Sequence, residues 1–374
     1  MRGDRIMSAD AGTAIIGGGI VGLCVALGLA ARGQDVLVLD GRDRDMRASQ
    51  GNFGLVWLQG KGAGCAPYAR WSCQAARAWA GFAERLSSQS GIDLALCQDG
   101  GYEFFTDRQE FEQFCQDLHR QADTLGNEFS FECLGHSDLA HRLPGIGQQV
   151  VGATFCPLDG HVNPLRLHVA LRKACLASGV RFTGDASVAA VQPATSGFSI
   201  LCENTKTIHA DRVILCAGLG AAQLGPQLGF RAPIRAQRGE LLITERVADR
   251  LPFLSSTIRQ VDEGGLQIGG TKADADVDIE STDQMARLAR HAMQVWPRLA
   301  DIRVLRSWAA LRVMTPDGYP IYQRSADHPG AFLVTCHSGV TLAPLHATRL
   351  ADWIDGDPAA PDLEAFDERR FALS

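Results

Sequence analysis

The stretch AIIGGGIVGLCVALGLAARGQDVLVLD, residues 14–40, reads as strand, tight turn, helix and strand. Gly17, Gly19 and Gly22 form a GxGxxG run between a short apolar segment and an Ala-rich helix. The first glycine permits the turn, the second lets a pyrophosphate approach the backbone, and the third lets helix and strand pack closely. The free N–H groups of that helix, at the positive end of its dipole, receive an anion. Asp40 follows Gly22 by 18 residues at the end of the second strand, where a carboxylate can bind a ribose hydroxyl. These features predict a dinucleotide held by a parallel α/β sheet.

The same texture recurs further along. Residues 161–191 read as a helix with apolar positions near 3.6 spacing and then a strand around Val188; residues 213–216 are a second apolar strand. Residues 331–356 give a strand, a tight turn and a helix closed by Gly356, with the helix N-terminus expected at residues 339–341. The segments between differ: GELLITE, GGLQIGGTKAD and DIRVLRSWAALRVMT suggest an antiparallel sheet. The expected fold is therefore an α/β nucleotide-binding domain (11–95, 148–225 and 306–374) interleaved with an α+β, antiparallel-sheet substrate domain (96–147 and 226–305). A nicotinamide enzyme of this length devotes one contiguous half to its nucleotide, so recurrence near both chain ends favours a resident flavin.

Composition narrows the classes. The chain of 374 residues exceeds the roughly 250–300 at which single cores stop growing, so a cofactor cleft between units is affordable. A net charge of −6 argues against nucleic acid. No apolar run is long enough to span a bilayer and no export signal is read at residues 1–12, so a cytoplasmic protein is expected. The eleven cysteines show no CxxC spacing. They are expected as reduced core thiols, without a metal site or iron–sulfur cluster in this chain.

Seven motifs together resemble the D-amino acid oxidase superfamily of FAD-dependent amine oxidoreductases, which includes glycine oxidase and sarcosine oxidase. They are the opening glycine run, RASQGNFGLV (47–56), DGHVNPLRLHVAL (159–171), VILCAG (213–218), QRGELLITE (237–245), SWAALRVMTPDGYPI (307–321) and CHSGVTLAP (336–344). Within that superfamily GNFGLVWLQGKG (51–62) is most similar to the β-subunits of bacterial opine oxidases or dehydrogenases.

The resemblance implies that Gly17, Gly19, Ile20, Val21, Gly22, Asp40 and Val188 hold the ADP half of FAD, with Arg42 beside the adenine. Ser49, Asn52, Gly54 and Leu55 would follow the pyrophosphate and flavin, and Ala217 with Gly218 would close over the dinucleotide. Ser338, Gly339, Val340 and Thr341 would face the flavin pyrimidine edge, where helix-end N–H groups stabilise the charge of the reduced state. Arg312 matches the arginine that clamps a substrate carboxylate, a guanidinium offering two parallel N–H groups to one carboxylate. His337 is either a wall residue and proton acceptor or a hydrogen-bonded core histidine. Lys61, Trp57 and Trp308 are further substrate-side candidates, the tryptophans equally readable as core. Lys61, Arg235 and Arg259 are candidates for a second cation opposite Arg312.

Departures carry information too. Members with covalent flavin use a Cys just before the TPD-like motif or a His near the first glycine cluster; AALRVMTPD and RASQGNFG have neither. Noncovalent FAD is expected. Gln267 stands where monomeric sarcosine oxidase has its oxygen-activating lysine, which favours a dehydrogenase. The implied activity is oxidation of a secondary amine, an opine such as octopine or nopaline, to a 2-oxo acid and an amino acid. The alternatives are a D-amino acid, hydroxyproline, proline, glycine or sarcosine enzyme, or a non-enzymatic flavin-fold subunit. The implied partners are a second flavoprotein subunit and a small iron–sulfur subunit, in some members with FMN at the junction.

Overall fold

The computed structural model describes residues 10–41, 47–274 and 277–372. Its largest sheet has eight strands. Ala331–Thr335, Thr207–Leu215, Ala11–Ile16, Val36–Leu39 and Arg181–Thr183 lie side by side and parallel. Ile321–Arg324 pairs antiparallel at one edge, and Val188–Pro193 and Phe198–Cys202 extend Thr207–Leu215 as an antiparallel annex.

Residues 36–39 (VLVL) are buried throughout, as a strand covered on both faces must be. Helix Ile20–Ala30 is apolar nearly all round because it packs against the sheet, helix Pro164–Ala177 and helix Arg349–Asp355 together. A Cβ at Gly28 would meet the Ala347 carbonyl at 2.5 Å, so the glycine permits that close approach.

Two smaller sheets complete the molecule. One pairs Gly101–Phe105, Gly152–Cys156 and Glu132–Gly135. The other runs Ile258–Gln260, Gly265–Gly269, Arg235–Arg246, Val304–Met314, all antiparallel. Residues 152–156 and 304–314 thus pair with the smaller sheets, although the expected segment limits of 148 and 306 assign them to the nucleotide domain. In the four-stranded sheet Leu242, Ile258, Leu266 and Ile268 form a core with Leu288, Ala292 and Val295 of helix Thr282–Val295. By alternation, Gln237, Gly239, Arg259, Gln267, Trp308 and Arg312 share the opposite face.

Two expectations change. The final helix is not continuous from residue 339: a turn at 339–342 precedes Ala343–His346, and the chain breaks before Arg349–Asp355. Thr348, with φ −126° and ψ −87°, turns its hydroxyl back to the Pro344 carbonyl and gives its own carbonyl to Arg32. The reading of all cysteines as free thiols is also corrected. Cys115 and Cys133 form a disulfide between helix Arg108–Leu125 and strand Glu132–Gly135, their Cα atoms 6.3 Å apart. A separation of 18 residues matches no spacing rule, and only packing of helix on strand brings the pair together.

Candidate functional site

Parallel pairing aligns four strand ends. Ile16 pairs with Leu215 and Leu39, and Leu215 pairs with Leu333, so Gly17, Cys216, Asp40 and Cys336 emerge at the same carboxyl edge. A ligand cleft in an open α/β sheet is expected there. A cleft of about 500 Å³ lies there.

Gly17, Gly19, Ile20, Val21, Asp40, Ser49, Asn52, Val188, Ala217, Gly218, His337, Gly339 and Val340 line it. Gly22 lies under the turn, where a Cβ would meet the Gly17 carbonyl at 2.0 Å. Gly17 itself has φ +110°, and a Cβ there would meet the Cys216 carbonyl at 2.3 Å, so the turn and the neighbouring strand end both require glycine. Gly54, Leu55, Ser338 and Thr341 brace the wall without forming it. Arg42 lies outside the described residues.

Two details of the cleft are not legible in the glycine run. The Ile20 N–H, at the start of the helix, donates to Ser49 Oγ at 3.0 Å. Asp40 takes the Arg47 guanidinium at 2.7 and 2.8 Å, so a carboxylate read as a ribose ligand is already an ion-pair partner.

The turn at 338–341 is gripped from several sides. Trp79, fully buried in helix Ala66–Ser90, donates its indole N–H to the Thr341 carbonyl at 3.1 Å. Tyr68 of the same helix meets Ser338 Oγ at 2.9 Å. Thr341 Oγ1 donates to the Leu55 carbonyl at 3.2 Å and lies 3.3 Å from the Trp57 N–H. Lys61 donates to Ser338 Oγ.

The segment bearing Trp57 and Lys61 is itself held from behind. Asp159 accepts from the Leu58 N–H at 2.5 Å and from Gln59 Nε2 at 2.8 Å, and Gln121 donates to the carbonyls of Leu58 and Lys61, both at 3.1 Å. Burial pushes the Asp159 carboxyl up to about 8. Trp79, Tyr68, Asp159 and Gln121 carried no motif signal, since each acts through a partner distant in sequence.

Arg312 lies across Gly239, where a Cβ would meet its guanidinium at 2.4 Å. Its Nη1 donates to the Thr271 carbonyl at 2.7 Å and the Arg238 carbonyl at 3.3 Å. Burial lowers its pKa, and no carboxylate among the described residues forms an ion pair with it. A half-buried guanidinium solvated only by carbonyls is a receptor for an incoming carboxylate. Trp308, on the same face, donates to the Gly51 carbonyl at 3.4 Å and ties the sheet to the cleft loop.

His337 presents its exposed ring surface to the cleft rather than to the outside. Enclosure by protein, then the charges of Lys61, Arg312 and Lys272, push its pKa down to about 3. It is therefore a neutral imidazole near neutral pH. Of the candidate second cations, Arg235 pairs with Asp274 at 2.5 Å on the surface. Arg259 is buried against His161 Nδ1 at 3.0 Å and the Phe53 ring, as an interlock between sheet and loop.

Residues 13–353 match a family model described as FAD dependent oxidoreductase. The chain is 44% identical over 359 residues to an opine oxidase subunit from Agrobacterium tumefaciens (strain Ach5), covering 96% of both chains. It is 43% identical to the protein of the same name from Rhizobium meliloti, again with 96% of each covered. Among solved structures, glycine oxidase from Geobacillus kaustophilus superposes with a TM-score of 0.87 at 23% identity, covering 96% of this chain and 98% of that one.

Proposed function

The chain belongs to the FAD dependent oxidoreductase family, and from that premise we propose that it oxidises a secondary amine of the opine class as the catalytic subunit of a larger dehydrogenase. The family's amine-oxidising, FAD-dependent activity is common ground with the relatives named opine oxidase and glycine oxidase. The opine substrate follows from the 44% identity to a protein named for it. That relative is named as one subunit among others, which supports a second flavoprotein chain and a small iron–sulfur chain as partners, with FMN at a junction between them.

The carboxyl-edge cleft fits FAD. Its glycine turn leaves clearance that a single Cβ would fill, and it runs from Asp40 and Val188 at one end to His337 and Gly339 at the other. Gly17, Gly19, Ile20 and Val21 would hold the ADP half, Ser49, Asn52, Ala217 and Gly218 the middle, and the 338–341 turn the flavin. No cysteine or histidine attachment is invoked, so the cofactor is held noncovalently. When bound, FAD supplies at N5 the acceptor for the substrate's α-hydride, and water hydrolyses the imine to a 2-oxo acid and a free amino acid.

The chain's own residues do the rest. Arg312 holds the carboxylate and so fixes the adjacent α-carbon against the flavin end of the cleft. His337, being neutral, adds no charge that would oppose the substrate amine. Trp57 and Trp308 border the same space. The observation that carries this reading is the half-buried Arg312, with carbonyls but no carboxylate as partners.

No helix of the described residues is long and apolar enough to cross a membrane; placement in the cytoplasm is part of the proposal. The deciding experiment is an anaerobic screen of opines, D-amino acids and imino acids for bleaching of the bound flavin, followed by turnover with an artificial electron acceptor. Bleaching by opines at low concentration is expected; bleaching by D-amino acids or proline alone would overturn the opine reading.

A further inference from the structure

Positive charge is concentrated around His337. Lys61 donates to Ser338, the next residue in the chain. Arg312 donates to the Thr271 carbonyl at 2.7 Å, and Lys272 follows Thr271 directly. Lys61 thus has a hydroxyl as partner and Arg312 two carbonyls, and among the described residues none of the three cations forms an ion pair with a carboxylate.

The carboxylates nearby are otherwise engaged. Asp159 is used by Leu58 and Gln59. Glu103 bonds to Ser256, and burial holds its carboxyl up to about 7, so near neutral pH it only partly offsets Lys272.

One carboxylate satisfies one guanidinium through two parallel hydrogen bonds. An ammonium left beside it, facing the same enclosed space, calls for a second anion, since partly desolvated charge without a counter-charge is costly. We infer that the pocket is built for a substrate with two carboxylates, Arg312 gripping one and Lys61, assisted by Lys272, the other. This rests on the amine-oxidation reading and sharpens it. The substrate class is an N-(carboxyalkyl) amino acid, whose oxidation leaves one carboxylate on the 2-oxo acid and the other on the released amino acid. Lys61 replaces Arg235 and Arg259 as the cation opposite Arg312, because both arginines are engaged elsewhere.

The test uses the flavin-loaded protein, with any subunits that copurify, and two unreactive probes: glutarate and butyrate. Binding is read from perturbation of the flavin absorption spectrum. Glutarate should bind at least about tenfold more tightly than butyrate; Lys61→Met should abolish that preference, and Lys61→Arg should restore most of it. Equal binding of the two acids to the unsubstituted protein, or a Lys61→Met variant that keeps the preference, would overturn the inference. Should Lys61→Met fail to retain flavin, the comparison on the unsubstituted protein decides alone.

A turnover arm separates this inference from the function on which it rests. Amines with one carboxylate that bleach the flavin as well as N-(carboxyalkyl) amino acids would refute the two-carboxylate pocket and leave amine oxidation standing. A strong preference for glutarate with no bleaching by any amine would refute amine oxidation and leave the pocket standing.

Discussion

Trp79 and Thr341, 262 residues apart in sequence, are joined by a buried hydrogen bond from the indole N–H to the Thr341 carbonyl. The bond fastens the long helix Ala66–Ser90 to the turn at the redox end of the cleft. Trp79→Phe keeps most of the apolar volume and leaves that carbonyl without its donor. The expected cost is about 1–3 kcal/mol of stability, together with weaker flavin retention. Denaturant melts and flavin content after dialysis check both; a variant that retains flavin and stability would show that the turn needs no such anchor.

Gly17→Ala should separate folding from cofactor binding. The added Cβ would lie 2.3 Å from the Cys216 carbonyl, at a residue with positive φ. We expect a chain that purifies without flavin and regains little on incubation with FAD, as seen by absorbance. Full flavin occupancy would refute the assignment of this turn to the dinucleotide.

Arg312→Ala should lower kcat/KM for an α-carboxylated amine by at least about tenfold, equivalent to roughly 1.4 kcal/mol. Arg312→Lys should recover only part, because an ammonium cannot offer two fixed parallel N–H groups. Steady-state kinetics under an artificial acceptor decide this, with unchanged values for both variants counting against the clamp.

Acid should destabilise the fold in a defined window. His346 is fully buried, lies 2.8 Å from the Tyr322 hydroxyl, and is pushed by burial down to about 3. Trp71 donates to that hydroxyl, which in turn can donate to His346 Nε2 and keep the imidazole neutral. The unfolded chain binds this proton below the ordinary value near 6.5 and the folded chain does not. Stability is therefore full above about pH 6.5 and falls as the pH drops from there toward 3, by up to about 1.4 kcal/mol per pH unit for this residue. His161, pushed to about 4, and His337 act in the same direction. Urea melts across pH 7.5 to 5 test the slope, which should shrink in His346→Gln.

Oxygen should be a poor acceptor for the isolated chain. Gln267 is buried at 3% exposure on the face shared with Arg312, where a lysine would bring a fixed positive charge. Oxygen consumption that keeps pace with substrate oxidation would contradict the dehydrogenase reading.

The sequence by itself determined the nucleotide half. The glycine run, the strands at 36–39 and 331–335 and the pocketed arginine at 312 follow from local rules of turn geometry, apolar periodicity and motif spacing. It could not reveal that Ser49 takes the first helical N–H, that Asp40 is held by Arg47, or that Cys115 meets Cys133. Such contacts depend on the approach of separate segments rather than on anything within one of them. The brace made by Trp79, Tyr68, Asp159 and Gln121 was hidden for the same reason, as was the choice among Lys61, Arg235 and Arg259. An isolated arginine or lysine looks alike anywhere in a sequence. Only the packing of the four-stranded sheet against the cleft loop gave Arg259 to His161 and Phe53, gave Arg235 to Asp274, and left Lys61 beside His337.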